Sequence, residues 1–507
     1  MIKRLNTKLS GALGFLACTS TLLTSSCSSQ IEKQSQPNII LFLVDDMGWT
    51  DTSVHLGSEM TSNNRYQKTP NMELLAQQGI KFTNAYAASP VCSPTRCSIL
   101  TGKNPARSQI TNWIPGQGND LHESEQKLFI PDWNINGLNA KDITIPKILK
   151  KHGYVTAHIG KAHFGKAETS GADPKNLGFD YNIAGHHAGH PASYYYPYGE
   201  ENSNYKVPSL EEFEKDSLYL TDALTVKATQ LIEQFSTDKK PFFLNLAHYA
   251  VHTPIQEHKE LVQQFMQEGK TETEAKYASM VASMDNSLGN IMSKLNDLKI
   301  ADNTIIIFMS DNGGLVTHAG HPTTNAPLSD GKGTCREGGI RVPMIVKWAG
   351  KAEAGTQCDE PVSSDDFFPT ILQMAGISPN AYLSDIDGKD LTPLLTGTGS
   401  FNRPEGLCFH YPHYWAWKGL RDEYPSIKPF SSIRMGKWKL CYGYEDENVE
   451  LFNLENDISE RVNLVKEHPD VAKKLCSQLK SYLQKVNAQT PVDRHSGKSL
   501  PYPDIKQ

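Results

Sequence analysis

Four stretches of the chain run apolar without alternation and then stop on polar residues: PNIILFLVDD from residue 37, GYVTAHIGKAHFG from 153, PFFLNLAHYAVHTP from 241 and NTIIIFMSDNGG from 303. An unbroken apolar run of strand length predicts a strand covered on both faces. Between the strands the period changes. Val281, Met284, Leu288, Ile291, Leu295 and Leu298 recur at three and four residues, which predicts an amphipathic helix feeding the strand at 304. Strand and helix in alternation predict an α/β fold, a large mainly parallel sheet flanked by helices, with its ligand site beyond the carboxyl ends of the strands. The polar residues that end the runs collect at that edge.

After DGKDLTPLLTG, near residue 398, the pattern shifts. GLCFHYPHYW, SSIRMGKWKLCYGY and VELFNLEND predict short antiparallel strands, and Val471, Leu475, Leu479, Leu483 and Val486 predict a helix with one apolar face. The expected organisation is a catalytic domain over 36–398 and a smaller α+β subdomain over 399–507. Residues 1–27 carry a Lys/Arg start, an apolar stretch and small residues, and predict a secretory signal outside the fold. Two outcomes stand for it: cleavage and release into a bacterial periplasm, or lipidation of Cys27, the only membrane attachment expected, since no later apolar run approaches ~20 residues.

Composition adds limits. The 507 residues are 38 % apolar and 21 % charged, ordinary for a globular protein long enough for a large core. A formal net charge of −6 argues against nucleic-acid binding, so any anionic ligand must meet a local positive cluster. The nine cysteines leave seven beyond the leader, an odd number, so at least one is unpaired or modified. No C-x-x-C zinc pattern occurs, and Cys97, Cys335 and Cys358 are expected to pack or to form disulfides.

The candidate chemistry lies at the strand ends. Asp45, Asp46, Asp311 and Asn312 form a hard all-oxygen set suited to Ca²⁺ or Mg²⁺. Arg96, Lys161 and Lys332 would complete a field for an oxyanion. In ASPVCSPTRCSILTG, Ser93 can cap a helix and Pro94 suits its first turn. Cys92 is thereby placed at a helix N-terminus, where an anion is favoured.

C-S-P-T-R at 92–96 followed by T-G at 101 resembles the type I sulfatase signature C-x-P-x-R. VDDMGWTD, GKAHFG, HTP, SDNGG, GKGTCREGGIRVP and ELFNLENDISERVNL follow the further blocks of that family, within the alkaline phosphatase-like superfamily. The resemblance implies that a maturation enzyme oxidises Cys92 to formylglycine. One hydroxyl of the hydrated aldehyde would attack sulfur and the other would later expel sulfate. It implies one Ca²⁺ held by Asp45, Asp46, Asp311, Asn312 and the modified Cys92, with Arg96 and Lys161 steadying the diol and Lys332 binding sulfate. His252 would protonate the leaving oxygen and His163 would take the proton from the second hydroxyl. The family's GKWHLG stands here as GKAHFG, a change expected in the pocket wall. His248 is expected to be structural.

For the substrate, GHHAGHPASYYYPYG at 185–199 and HYPHYWAW at 410–417 offer rings that stack on sugars. His190, His410, His413 and Arg434 are the expected sugar contacts. The resulting expectation is a sulfated carbohydrate of galactose or N-acetylgalactosamine type. An arylsulfatase, a phosphonate or phosphate ester hydrolase of the same superfamily, and a non-catalytic glycan-binding protein are the alternatives.

Overall fold

The computed structural model describes residues 36–505 apart from 116–125, 132, 134–135, 215–216, 268, 416–420 and 423–426. The expected signal segment and Cys27 lie outside the described residues. Residues Gln36–Gln507 form one compact unit.

Its centre is an eight-stranded sheet in the spatial order Thr356–Cys358, Ile80–Phe82, Met344–Lys347, Thr304–Ser310, Asn38–Val44, Phe242–Ala247, Val155–Gly160 and Tyr181–Ile183. All pairs are parallel except the two made by Met344–Lys347. Along the central strand Asn38–Val44 every residue is buried, but the two faces meet different partners. Ile40, Phe42 and Val44 pack with the helices Leu220–Thr237 and Glu272–Asp297. Ile39, Leu41 and Leu43 pack on the other side with Cys92–Thr101, Ile145–Lys151 and Phe367–Met374. Burial on both faces is why the sequence shows no alternation there.

The amphipathic helix begins at Thr271. Its hydroxyl accepts from the Glu274 N–H while the Glu274 carboxylate accepts from the Thr271 N–H, a capping box.

The C-terminal strands Leu407–Tyr411, Phe430–Met435, Trp438–Gly443 and Val449–Asn453 make an antiparallel sheet in sequence order. The helix Pro469–Lys485 covers it, with Leu475, Leu479 and Leu483 against Ile433, Leu440 and Leu451. A buried ion network fixes this layer to the rest. Lys439 Nζ lies 2.8 Å from Glu337 Oε1 and 2.9 Å from Glu460 Oε1, with all three side chains fully buried or nearly so. Glu337 also accepts from Tyr86 Oη at 2.6 Å.

Candidate active site

Each strand end delivers one part of the site. Asp45 and Asp46 follow the central strand, and Asp311 and Asn312 follow Thr304–Ser310, its parallel neighbour. Lys161 follows Val155–Gly160, and His252 comes five residues after Phe242–Ala247. Asp46 and His163 hold φ of +60° and +55°, the left-handed region that non-glycine residues seldom occupy. Such conformations cluster at functional sites.

The helix carrying Cys92 starts two residues earlier than a Ser93 cap would set it. Val91 is its N-cap and makes no side-chain cap, so Cys92 is the first helical residue. Ser93 does not cap; its hydroxyl accepts the Ile114 N–H at 3.0 Å instead. That bond ties the start of the helix to the segment that walls the cavity.

Three carboxylates and three cations interlock around the Cys92 sulfur. Arg96 Nε donates to Asp311 Oδ2 at 2.7 Å, and its Nη1 donates to the Lys161 carbonyl at 2.8 Å. Lys161 Nζ donates to both oxygens of Asp45 at 2.8 and 2.7 Å. Lys332 Nζ donates to Asp46 Oδ1 at 2.6 Å and lies 3.3 Å from Cys92 Sγ, which is 3.7 Å from Asp45 Oδ1. Burial raises the Asp45 carboxyl to about 8 against the pull of Lys161. Burial acts on Asp46 too, but Lys332 and His252 outweigh it and hold that carboxyl below its ordinary value. Burial opposes the charge on Lys332, yet Asp46 raises its pKa. Burial pushes the Cys92 thiol up to about 12, only partly countered by Lys161 and Lys332, so it is a thiol and a poor nucleophile.

Four polar atoms here are buried without a hydrogen-bond partner among the described residues: Asp46 Oδ2, Asn312 Oδ1, Arg96 Nη2 and His163 Nδ1. Groups left so would cost stability unless a ligand met them. Ligand atoms of Asp45, Asp46, Cys92 and His252 lie within 4.8 Å of one another, compact enough for one cation. Two of these four atoms are carboxylate oxygens, and Asp311 and Asn312 lie beside them at the end of the neighbouring strand, so the acidic part of the set suits a hard cation.

Above Cys92 opens a cavity of about 440 Å³ lined by His163, His190, His252 and Lys332, with Trp113, Tyr205 and Trp415 as aromatic walls. His190 stacks on Tyr205 with centroids 4.1 Å apart and faces His252 at 5.7 Å. His163 Nε2 bonds the Ile114 carbonyl, so it carries the proton and leaves Nδ1 as a free acceptor. Its ring needs Gly189, where a Cβ would come 2.6 Å from His163 Cε1. His252 Nδ1 donates to the Thr253 carbonyl at 3.0 Å and turns Nε2 to Asp46 Oδ2 at 3.5 Å. Burial holds the pKa of both rings well below 6.5, opposed at His252 by Asp46. Tyr194 Oη donates to the carbonyls of Tyr249 and His252 at 2.7 and 2.8 Å and positions the turn.

Of the expected sugar contacts, the structure brings only His190 to the cavity. His410 is buried, its ring bonded to Ser431 Oγ at 2.7 Å and the Gln489 carbonyl at 2.8 Å. His413 is buried against Thr111 Oγ1 at 2.7 Å, edge-on to Trp133. Arg434 bonds Tyr86 and Asn84 and borders a separate depression with Pro404, Lys437 and Glu455. These three are structural. Strand alternation explains this in part: His410 takes an inward position on its strand, and the segment reaches the cavity through Trp415. Ala162 is likewise not in the pocket wall; it packs in the core with Phe164, so the change from Trp falls on the core. His248 is buried against Ser287 Oγ at 2.9 Å. Trp113 and Tyr205 carry no signal in the sequence, and Tyr194, within the stretch expected to meet a sugar, instead holds the His252 turn. They reach the site from loops, and only their place in the fold identifies them.

A family model described as Sulfatase matches residues 37–377, and one described as N-sulphoglucosamine sulphohydrolase, C-terminal, matches 331–489. A protein described as Sulfatase from Formosa agariphila is 30 % identical, covering 98 % of this chain and 97 % of that one. The N-acetylgalactosamine-6-sulfatase of Homo sapiens is 30 % identical over 83 % of this chain and 77 % of its own. The crystal structure of Ps i-CgsB, also solved in complex with k-i-k-neocarrahexaose, is similar at 29 % identity. Its TM-score is 0.70, with 88 % of this chain and 93 % of that chain covered.

Proposed function

The chain belongs to the sulfatase family and is a sulfuric ester hydrolase; from that premise we propose that it removes sulfate from a sulfated carbohydrate, with Cys92 converted to formylglycine and Ca²⁺ bound beside it. The observation that carries this reading is the position of Cys92. Its sulfur lies at the floor of an aromatic-walled cavity, ringed by Asp45, Lys161 and Lys332, yet as a thiol it is held protonated. A site built around an unreactive thiol supports a modified residue there.

Asp45, Asp46, Asp311 and Asn312 would hold Ca²⁺, and the unpartnered oxygens of Asp46 and Asn312 fit that role. When bound, the ion and the hydrated formylglycine supply charge neutralisation and an oxygen nucleophile, respectively. The chain's own residues do the rest. Lys332 meets the sulfate ester, and Arg96 holds Asp311 and the Lys161 backbone in register. His252 Nε2 protonates the departing sugar oxygen. An arriving anion favours the charged imidazole that this step needs, because it adds to the pull of Asp46. His163 accepts a proton at Nδ1, the nitrogen its bond to Ile114 leaves free.

Carbohydrate is favoured over a small aryl ester because Trp113, Tyr205 and Trp415 offer extended ring faces with His190 among them. The names of the relatives, N-acetylgalactosamine-6-sulfatase and a protein crystallised with neocarrahexaose, support a galactose-type glycan. Export, with release or lipid attachment, and action of a maturation enzyme belong to the same proposal.

The test is sulfate release from defined sulfated galactose and N-acetylgalactosamine oligosaccharides against matched phosphate esters, with mass spectrometry of the peptide bearing residue 92. A preference for phosphate, or an intact thiol at Cys92 in fully active protein, overturns the proposal.

A further inference from the structure

The loop that presents Lys332 continues to Cys335, and there it meets the C-terminal sheet. Cys335 packs against Cys441, Phe452 and Leu454. Cys441 sits buried on the strand Trp438–Gly443, and Cys335 and Cys441 both carry free thiols. Ion pairs clamp both flanks of this contact. Arg336 donates to Glu450 at 2.9 Å and lies over the Phe452 ring at 4.8 Å, while Lys439 pairs with Glu337 at 2.8 Å. The two sulfurs therefore meet between segments that other contacts already hold in place.

We propose that Cys335 and Cys441 form a disulfide that ties the Lys332 loop to the C-terminal sheet. The chemistry of the pair is that of a nucleophilic and a resolving thiol. Hydrogen bonding from Cys441, with the charges of Arg336 and Lys439, holds the Cys335 thiol below its ordinary pKa, while Cys441 is held well above it. The oxidant is an external disulfide, such as oxidised glutathione or the disulfide form of a thiol oxidoreductase. The Cys335 thiolate attacks one of its sulfurs, forming a mixed disulfide and releasing one thiolate. Cys441 then loses its proton and attacks the Cys335 sulfur, releasing the second. Two thiols lose two protons and two electrons in all, and the external disulfide is reduced to two thiols. The bridge closes a loop of roughly 100 residues, long enough for a crosslink to restrict the unfolded chain substantially.

The test uses the full-length protein incubated with oxidised glutathione, alkylated in denaturant, and mapped by mass spectrometry without reductant. The expected result is a Cys335 peptide joined to a Cys441 peptide that separates on reduction. Alkylation of both residues, or Cys335 joined to glutathione alone or to another cysteine, overturns the proposal. As a second measure, reduction should lower the Tm of the oxidised wild type by roughly 5–10 °C and leave that of Cys441→Ser unchanged. Equal responses overturn it. Should Cys441→Ser fail to fold, the peptide map of the wild type still decides.

Discussion

Two imidazoles at the cavity differ in the nitrogen they offer, and that difference assigns their work. His252 directs Nε2 inward and His163 keeps Nδ1 free. A sugar alkoxide leaves poorly without a proton and a nitrophenolate leaves readily. His252→Ala should therefore slow turnover of a sulfated sugar by roughly 10²–10⁴-fold and an activated aryl sulfate far less. Equal slowing of the two substrates would move the acid role elsewhere. A second prediction concerns Asp46 Oδ2 and Asn312 Oδ1, buried and without a hydrogen bond. A chelator should lower both activity and Tm, because an ion bound only by the folded chain stabilises it and is then lost. Unchanged Tm and rate after verified metal removal refute it. Sequence identified the residues of this floor because their types are restricted: only carboxylates, an amide, cations and a cysteine serve. It failed for His410, His413 and Arg434, since a ring on a strand stacks on a sugar or fills a core with the same composition. The run of tyrosines at 194–196 shows the same ambiguity. Tyr194 is buried and serves the backbone of His252 rather than a sugar.

Among the elements, the Lys332 loop is the most constrained. Gly333 holds φ of +90°, and a Cβ there would meet the Trp415 ring at 1.8 Å. Gly333→Ala should displace the loop and Trp415 together, costing roughly 1–3 kcal/mol of stability. Lys332 would move with them, lowering kcat/KM by roughly 10–100-fold. Calorimetry and initial rates on one preparation check both, and a variant matching the wild type in each sinks the idea that close approach fixes this loop. The strands were readable in the chain because burial on both faces erases alternation. The helix starts two residues before the position a Ser93 cap predicts, because Ser93, a good cap by type, is engaged by Ile114 instead. Local preference yields there to a contact 21 residues away.

At the scale of the whole molecule, buried histidines set the response to acid. Burial lowers His158, His248, His321 and His413 to about 3, and His186 and His410 to about 4. These rings stay neutral when folded but take up protons near 6.5 when unfolded, so their contribution is complete above 6.5 and is lost as pH falls below it. Each contributes a slope of about 1.4 kcal/mol per pH unit. Burial acts oppositely on Asp285 and Asp365, raised to about 6 and about 7, whose contribution is lost as pH rises from the ordinary carboxylate range. The histidines outnumber them, so Tm should drop steeply from pH 6.5 to 4.5. A level Tm across that range would count against it. One feature of the assembled fold also bears on how the molecule is made. Glu337 stands beside the catalytic loop, and its buried partners Lys439 and Glu460 lie more than a hundred positions later in the chain. Arg341 reaches Glu337 at 3.3 Å from within the central fold, but a ribosome that has delivered the whole central sheet has still not delivered Lys439, which lies 2.8 Å from Glu337. The Lys332 loop is therefore clamped last, when the C-terminal strands emerge.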